Sequence, residues 1–493
     1  MSEHMDRRSF LRVAATGSLL LSGCLGRAST DDDSGQPETG SSDDGSDADG
    51  GEPFPLTRHG IEFDRGLDAV EDIGLDPGGT VTNDLIAGID DGTLLRFPAG
   101  RFRWDPGARV ENCDRIGFLG SPLGTAIEVP TGANDQLLRI EDAAEITFEN
   151  FTVDQTNDGA VGTFLLWARD ALHVENVRFR GRANREDGIE PSAFNIKLLE
   201  PDGVGTVRNW VDREGSGWAS YNGSSGRIGA LVRDGHRGTL RFVDCDLREF
   251  GNNALYASRC QGDVQVSDSY FENNNVASVR IGGEGSFVEN TRIVVSEDRY
   301  EGPRENEDEA FHMRGVLVED SHADLGQKTA GAAVRDCEFR FEENPTGAPA
   351  IEVWSNGRSL SVEDTSIRYD ATGPSVIRRE NYGSKGRHPP GEPPRWLRLD
   401  GVEVDGDGET RRVVDLRDAD GSRIRDCCLR LPRSEGNGIN VVRSADVVIE
   451  DTAIDVAGTA VIERESDPAV DLRTDCDGEG VDDESDSASD RSS

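Results

Sequence analysis

The strongest constraint on the fold is a short pattern that is written almost twice between Leu240 and Val295. Each copy contains alternating apolar and polar residues, an Asp or Asn, a second short apolar stretch and a turn rich in Gly or Asn. Asp244, Asp268 and Asn290 hold equivalent positions, 24 and 22 residues apart. Alternation with a period of two residues predicts half-buried strands, and the Gly and Asn residues predict corners. A repeat of this length built from strands and turns predicts a solenoid.

The same repeat unit recurs over most of the chain. Further copies occur at 146–153, 172–179, 317–323, 333–339, 360–367, 397–404, 423–429 and 448–454. The residue after the Asp or Asn is usually Cys, Thr or Ser, as an inward stacking column requires when coils lie about 4.8 Å apart. The pattern resembles the right-handed parallel β-helix of the pectin-lyase-like superfamily over about 92–460. That resemblance implies an all-β, single-stranded solenoid and does not specify an activity.

The beginning of the solenoid has its own signals. Gly92–Trp104 resembles the strand–turn–strand entry of β-helix carbohydrate enzymes. Residues 67–89 carry a weak apolar pattern with a period of 3.6, which predicts a short N-terminal capping helix. We expect a cap because a bare terminal coil would be an open sheet edge.

The N-terminal sequence predicts where the protein is located. Arg7 and Arg8 precede an apolar run that ends at Cys24 and is too short to span a bilayer. The paired arginines resemble a twin-arginine (Tat) export signal, and Leu21–Cys24 resembles a lipobox. These resemblances imply export and lipidation of Cys24, which would hold the protein on the outer face of the cell membrane. We predict a signal peptide at 1–23, a disordered acidic linker at 24–55, one β-helix domain at 56–464 and a disordered acidic tail at 465–493.

The charge balance indicates the kind of organism that makes the protein and one class of partner that it does not bind. The formal net charge is −42, and only Lys197, Lys328 and Lys385 are lysines among 53 basic residues. Acid-rich, lysine-poor chains resemble proteins of extreme halophiles, and the signal adds a resemblance to exported haloarchaeal lipoproteins. Molar salt shortens the Debye length to about 3 Å and screens the repulsion. The same charge argues against nucleic-acid binding, which needs a basic face.

The eight cysteines do not predict a disulfide framework. With Cys24 lipidated, seven remain, so at least one is unpaired within the chain. Cys113, Cys245, Cys337 and Cys427 follow an Asp or Asn, and we expect them to be small stacked residues. The chain has no C-x-x-C pair, which argues against a cysteine zinc site.

Catalytic signatures of the superfamily are missing. The polygalacturonase-like branch would show N-T-D, D-D, G-H-G and R-I-K runs, and the nearest fragments here are Gly235–Arg237 and Arg280–Gly282. The W-x-D-H and R-x-P-x-x-R signatures of pectate lyases are also missing. With 95 acidic residues, spacing alone cannot single out the pair of carboxylates that a glycosidase needs.

One strand column offers a candidate site. Aligning the repeats directs Leu255, Ala277, Ile351 and Ile439 inward, and it directs the following side chains to an outward face. Four residues on that face, Tyr256, Arg280, Glu352 and Trp354, combine rings, a guanidinium and a carboxylate, as a sugar polymer requires. Tyr256, Arg280 and Trp354 are candidate substrate-binding residues, and Glu352 and Arg280 are candidate catalytic residues. The alternative is an ordinary solvated sheet face.

Three insertions, Arg178–Gly238, Ser296–Arg314 and Tyr369–Trp396, are expected to wall a groove. Within the first, Trp218 is a candidate binding residue, and His236 beside Asp234 is a candidate base.

Two acidic runs, at 405–409 and 475–479, have calcium-like spacing without the full loop pattern. The corner residues Asn252, Asn253, Asn274 and Asn275 are expected to form a structural ladder.

Two functions remain open at this level. The first is a polysaccharide lyase or hydrolase acting at the cell surface. The second is a non-catalytic surface protein that binds a polysaccharide or another envelope glycan. In both cases we expect a monomer that contacts the membrane only through its lipid.

Overall fold

The computed structural model describes residues 55–476, except 77, 112, 184–191, 218–225, 304–311, 324, 345–346 and 384–387. These residues belong to one compact unit, Phe54–Ser493. Arg7, Arg8 and Cys24 lie outside the described residues, so export and lipidation remain predictions. Within the described part, no helix is long and apolar enough to cross a membrane.

The chain forms the predicted right-handed parallel β-helix. After the first coil, where the helix Asn83–Ala87 follows the sheet 2 strand, the coils contribute strands to three parallel sheets, which we call sheets 1, 2 and 3 in the order in which the chain visits them. Five strands bend from one sheet into the next without interruption: Leu138–Asp154, Phe164–Arg180, Val204–Asp212, Val448–Val456 and Ala469–Arg473.

The remaining strands belong to single sheets. Sheet 1 contains Arg65–Asp68, Thr93–Phe97, Arg115–Gly120, Thr239–Val243, Asp263–Ser267, Phe287–Glu289, Ala332–Arg335, Leu360–Glu363, Leu397–Asp400 and Arg423–Arg425. Sheet 2 contains Thr80–Val81, Gly100–Trp104, Thr125–Glu128, Asp246–Arg248, Tyr270–Glu272, Arg292–Val295, Glu338–Phe341, Ser366–Tyr369, Glu403–Asp405 and Cys428–Leu431. Sheet 3 contains Ala108–Val110, Phe194–Leu198, Ala230–Leu231, Leu255–Tyr256, Ala277–Ile281, Arg314–Val318, Ile351–Val353, Ile377–Arg379, Arg412–Arg417, Asn437–Val442 and Val461–Arg464.

A few elements lie outside the three sheets. Two antiparallel hairpins pair Thr57–Arg58 with Ile61–Glu62 and Ser321–His322 with Gly326–Gln327. A 3-10 helix spans Glu297–Arg299. The predicted capping helix spans Asn83–Ala87, where the Thr82 side chain accepts a hydrogen bond from the backbone N–H of Leu85.

The repeated Asp or Asn forms the corner between sheets 1 and 2. Asp244 and Asp268 lie one coil apart, as predicted, with φ of 55° and 53°. Asp and Asn tolerate this left-handed conformation better than most residues. At the equivalent corner Gly401 has φ 63°. The Asn corners also stack, since the amide of Asn209 donates to Oδ1 of Asn176 over 2.7 Å.

The interior is filled from end to end by one hydrophobic core. Its N-terminal half is aromatic; for example, the rings of Phe148 and Phe151 stack with centroids 4.7 Å apart. Cys245, Cys337 and Cys427 are free and buried just after their corners, which confirms the predicted stacking column. Cys113 is also free and buried, but it precedes a sheet 1 strand and therefore lies at a different corner.

Three expectations about organisation need correction. The repeat unit predicted at 317–323 does not form a corner between sheets 1 and 2. It joins the sheet 3 strand Arg314–Val318 to the hairpin that begins at Ser321. The segment Arg178–Gly238 is not one continuous insertion, since it contains the solenoid strands Phe194–Leu198 and Val204–Asp212. The strand Ala469–Arg473 lies within the segment predicted to be a disordered tail.

The end of the solenoid also carries a covalent link that the sequence analysis did not predict. Cys476 forms a disulfide with Cys428, which lies in a sheet 2 strand 48 residues earlier. The disulfide therefore ties the end of the described chain to the body of the solenoid.

Candidate functional site

The outward face of sheet 3 brings together the four residues that the sequence analysis placed on one face. Tyr256 pairs with Arg280 on the next strand, and the same column continues through Leu317 to Glu352. Trp354 follows two residues after Glu352. The predicted alignment of Leu255 with Ala277 is therefore shifted by two residues, since Leu255 pairs with Val279. A shift of two keeps every side chain on its predicted face, because strand side chains alternate with a period of two.

Arg280 is the centre of this cluster. Its guanidinium lies 4.3 Å from the ring centroid of Tyr256 and 4.7 Å from that of Trp354. Nε of Arg280 donates to Oε2 of Glu319 over 2.7 Å, and Nη2 lies 2.5 Å from the same oxygen. Two rings and one carboxylate therefore hold the guanidinium in a fixed position. This geometry combines cation–π contacts with a charge-assisted hydrogen bond.

Glu319 is held as a carboxylate. Burial alone would raise its pKa, but the charges of Arg280 and Arg259 and hydrogen bonds from Ser258 and Asn356 outweigh burial and lower the pKa to about 2. The Ser258 hydroxyl donates over 2.6 Å, and the Asn356 amide donates over 3.0 Å. Glu319 is therefore ionised at neutral pH and has no proton to donate.

Glu352 is the second carboxylate of the cluster. It accepts a hydrogen bond from Nε of Arg314 and another from Nε1 of Trp354 at 3.0 Å. Nη1 of Arg378 lies 3.4 Å from its other oxygen. Glu352 therefore joins neighbouring strands and orients the Trp354 ring.

We define the sheet 3 floor as Tyr256, Arg280, Glu319, Glu352 and Trp354. The sequence analysis expected an exposed surface here, and that expectation is wrong for most of these residues. Tyr256 is 8% exposed, Arg280 4% and Glu352 1%. Their mutual contacts cover them, whereas Trp354 remains half-buried. The floor is therefore a packed polar platform with one accessible ring.

A cleft of about 280 Å³ borders the floor. We call it the hairpin cleft, because the hairpin Ser321–Gln327 and the following residues form one wall. Ser258 connects the cleft to the floor, because it lines the cleft and its hydroxyl donates to Glu319. The cleft is lined by Ser258, Cys260, Gln261, Asp320, His322, Leu325, Gly326, Gln327, Lys328 and Thr329.

Asp320 gives the cleft a titratable carboxyl group. Burial raises the pKa of Asp320 to about 6, although the backbone N–H groups of Arg358 and Gly283 favour its charged form. These groups donate over 2.5 and 2.7 Å. Lys328 lines the same cleft, and its ammonium donates to the carbonyl of Gly262 over 2.8 Å.

The third predicted insertion, Tyr369–Trp396, contributes one ring beside the hairpin cleft and a second, exposed ring. The ring of His388 lies 4.6 Å from that of His322, which lines the hairpin cleft. Tyr382 is 51% exposed, and the Arg395 guanidinium lies 5.1 Å from its ring. The insertion therefore places side chains beside the cleft, as the sequence analysis expected of a groove wall.

His236 is not a candidate base in this structure. It is completely buried rather than solvent-exposed, and burial lowers its pKa to about 4. Nδ1 accepts from the backbone N–H of Leu198 over 3.1 Å, and Nε2 lies 3.3 Å from the carbonyl oxygen of Asp263. Both ring nitrogens therefore serve the backbone. Asp234 is exposed, and Trp218 lies outside the described residues.

The structure supports a structural role for the predicted asparagine ladder. Asn274 accepts from the backbone N–H of Phe250 and donates to the carbonyl of Leu247, over 3.1 and 3.0 Å. Asn275 donates to the carbonyl of Gly251 over 3.2 Å. These amides link backbone groups of successive coils and leave little capacity for a ligand.

The two predicted calcium runs have other partners where the structure describes them. Asp405 lies 2.9 Å from Nε of Arg430, and Asp407 lies 3.3 Å from Nε of Arg433. In the second run, Cys476 belongs to the disulfide, and residues 477–479 lie outside the described part. Arginines therefore pair with two of the three carboxylates of the first run, Asp405 and Asp407.

Sequence reasoning missed Glu319 and Asp320. They occur in Val318–Ser321, which reads V-E-D-S and matches the corner sequence V-E-D-T at 362–365. The difference lies in what precedes them, because Arg314–Val318 is a sheet 3 strand. A strand count from the preceding corner at Asn290 could have shown that 317–323 follows sheet 3 and not sheet 1.

Comparisons with known proteins add no family assignment. No protein-family model matches the chain, and no curated protein matches it in sequence. Among solved structures, PfbA, a surface adhesin of Streptococcus pneumoniae, is similar with a TM-score of 0.48 and 13% identity. The similarity covers 80% of this chain and 93% of the adhesin chain.

Two other similar structures are enzymes by name. The A-module of the mannuronan C-5 epimerase AlgE6 of Azotobacter vinelandii has a TM-score of 0.38 and 14% identity, over 82% of this chain and all of that module. A family 28 exopolygalacturonase of Yersinia enterocolitica has a TM-score of 0.31 and 11% identity, over 85% and 79% of the two chains. At these values the similarities carry no argument about what this chain binds or does.

Proposed function

We propose that the protein is an exported, lipid-anchored surface protein of a salt-loving cell that binds a polysaccharide at the hairpin cleft and the sheet 3 floor. The observation that carries the proposal is the fixed arrangement of Arg280 between Tyr256 and Trp354 beside an open polar cleft. The proposed export and lipid anchoring depend on the sequence features at Arg7, Arg8 and Cys24.

The lining of the cleft suits a sugar chain. Hydroxyl, amide and ammonium groups come from Ser258, Gln327 and Lys328, and sugar hydroxyls can both donate to and accept from such groups. The half-buried ring of Trp354 adds an apolar surface on the floor, in contact with Arg280. The volume of about 280 Å³ is near the lower end of the range for small-molecule sites, roughly 300–1,000 Å³. A cleft of this size fits a short part of a polymer better than a large compact ligand.

The floor itself favours binding over catalysis. A general acid must carry a proton near the working pH, whereas the pKa of Glu319 is lowered to about 2 despite its burial. Glu352 contacts Arg314, Arg378 and Trp354, so its oxygens already have partners within the protein. Both carboxylates therefore serve to position neighbouring groups.

One observation favours the enzymatic alternative, a polysaccharide lyase or hydrolase. Asp320 lines the cleft, and burial raises its pKa to about 6, which is close to the range useful for proton transfer. Lys328 lines the same cleft and supplies a positive charge. In this alternative Asp320 would exchange a proton with the substrate.

Binding is tested with the lipid-free chain in molar salt against a panel of neutral and acidic polysaccharides. At least one polysaccharide should bind, and Trp354→Ala should weaken its binding about tenfold or more. Trp396→Ala is the matched control, because Trp396 is another half-buried indole packed under an arginine, Arg398, outside the cleft. The proposal fails if nothing binds, or if both variants weaken binding equally.

The enzymatic alternative has a separate readout. The bound polysaccharide is incubated with the wild-type chain, and new reducing ends or unsaturated products are measured. Product release that disappears in Asp320→Asn, with binding retained, would establish catalysis in place of simple binding. Binding without product release would support the non-catalytic function.

A further inference from the structure

A second cluster of chemically capable side chains lies on the outward face of sheet 1, near the N-terminal end of the solenoid. Nε2 of His59 is 3.2 Å from Oε1 of Glu149 and 3.2 Å from Oε2 of Glu175. The three ligand atoms lie within 4.8 Å of one another. Glu149 and Glu175 are direct neighbours on adjacent strands. Two coils and the N-terminal hairpin therefore meet at this point.

A single imidazole N–H cannot make straight hydrogen bonds to two acceptors that lie in different directions. Nε2 of His59 is equidistant from carboxylate oxygens of two different residues, so one straight N–H···O hydrogen bond reaches only one of them. Oε1 of Glu149 also accepts from Nε of Arg58 and from the Thr147 hydroxyl. A tetrahedral zinc ion binds nitrogen and carboxylate oxygen at about 2.0–2.2 Å, which places neighbouring ligand atoms about 3.3 Å apart. The observed separations of 3.2 Å match that spacing.

The backbone is arranged to present His59. It forms, with Gly60, the two-residue turn between Thr57–Arg58 and Ile61–Glu62, and both turn residues have positive φ, 51° and 86°. Asn-Gly is the favoured sequence for such turns, and histidine is, with Asn and Asp, one of the non-glycine residues enriched at positive φ. Ile61 and Phe63 pack on the outside of the solenoid and fix the hairpin there.

The surrounding groups support the ligand atoms. Glu149 is 1% exposed, and its carboxylate accepts hydrogen bonds from Arg58 and from the Thr147 hydroxyl, the latter over 3.0 Å. The imidazole of His173 stacks on that of His59 with centroids 4.6 Å apart. Hydrogen bonds to ligating carboxylates and restraints on ligating histidines are regular features of metal sites.

We infer that His59, Glu149 and Glu175 bind a divalent metal ion of the zinc class, which fastens the N-terminal hairpin to the solenoid. One imidazole and two carboxylates form a ligand set for such borderline ions. The hairpin joins the solenoid to the segment predicted to be the tether from Cys24. The bound ion would therefore hold the solenoid at a fixed attachment point. This inference is independent of the polysaccharide site.

The test is a zinc titration of the lipid-free chain, produced without a histidine tag and treated with a chelator, at one fixed salt concentration. Calorimetry should show one site. His59→Ala and Glu175→Gln should each weaken zinc binding about tenfold or more. Glu450→Gln is the matched control, because Glu450 occupies the column of Glu175 near the far end of sheet 1.

Two further readouts separate metal binding from a folding defect. Cobalt added in place of zinc should give visible absorption bands that His59→Ala abolishes. Zinc should slow backbone hydrogen exchange in the hairpin at 57–62 in the wild-type chain and not in Glu175→Gln. Failure of the wild-type chain to bind zinc would overturn the inference, as would equal binding by the control and both ligand variants. In either case the cluster would be only an ion-pair network.

Discussion

Replacing Arg280 by alanine removes the positive charge that Glu319 contacts most closely. The carboxylate would remain beneath the outer face of sheet 3, where Glu319 is 2% exposed. Arg259, at 3.6 Å, would be a weaker partner. Breaking a buried ion pair by removing one partner typically costs about 3–5 kcal/mol, because it leaves a buried charge uncompensated.

The pKa of Glu319 gives a second route to the magnitude. The folded chain lowers this pKa from 4.5 to about 2, and each pKa unit corresponds to about 1.4 kcal/mol. The folded state therefore stabilises the Glu319 carboxylate by about 3 kcal/mol at neutral pH, mainly through Arg280. The cost of breaking the buried pair predicts that Arg280→Ala loses about 3 kcal/mol of unfolding free energy at pH 7, and the net pKa shift of Glu319 is of the same order.

The same linkage fixes the pH dependence. Because the folded-state pKa is lower than the unfolded one, this stabilisation is complete above about pH 4.5 and disappears as the pH falls toward about 2. The difference between wild type and Arg280→Ala should therefore shrink over that window. It should stay constant between pH 6 and 8.

The assay is urea unfolding in molar salt, followed by tryptophan fluorescence, to which Trp354 in the cluster contributes. The double variant Arg280→Ala with Glu319→Gln should recover more than half of the loss, since it removes both charges. Arg208→Ala is the control; it breaks an exposed pair with Asp244 and should cost less than about 1 kcal/mol. Equal losses in Arg280→Ala and Arg208→Ala would refute the reasoning, as would a double variant no better than Arg280→Ala.

Three further predictions concern the ends of the chain and its charge. Cys428→Ser should lower the unfolding free energy by about 2–4 kcal/mol by removing the link to Cys476; an unchanged denaturation midpoint without reductant would contradict this. Cys24→Ala should release the protein from the membrane fraction, and lysine at both Arg7 and Arg8 should retain it in the cytoplasm; unchanged distributions would refute the predicted address. The melting temperature should fall as potassium chloride is diluted from molar to millimolar, because the net charge of −42 is then less screened; a flat profile would argue against halophily.

The solenoid could be predicted from the sequence because its corners require particular residue types. Asp244 and Asp268 adopt positive φ, and few residues besides Gly, Asn and Asp do so readily. The corner residues therefore recur at the coil spacing and are visible in one sequence. Alternation likewise gave the correct faces for Tyr256 and Glu352, even with the alignment shifted by two residues.

The depth of the candidate site could not be predicted, because it depends on contacts between residues far apart in the chain. Glu319 lies 39 residues after Arg280. The sequence around it, Val318–Ser321, resembles a corner between sheets 1 and 2 although it follows a sheet 3 strand. His236 illustrates the opposite case. A histidine in a polar loop is normally exposed, but the backbone groups of Leu198 and Asp263 enclose this one. Periodicity does not reveal either contact.

The most direct test of the central claim is to locate a bound polysaccharide on the protein. Hydrogen exchange of the wild-type chain should be compared with and without the polysaccharide that binds best in the panel. The account predicts slower exchange in the hairpin Ser321–Gln327 and in the residues that follow Trp354, with no change at the far end of sheet 1 around Glu450. Protection confined to sheets 1 and 2, with an unchanged hairpin, would contradict it.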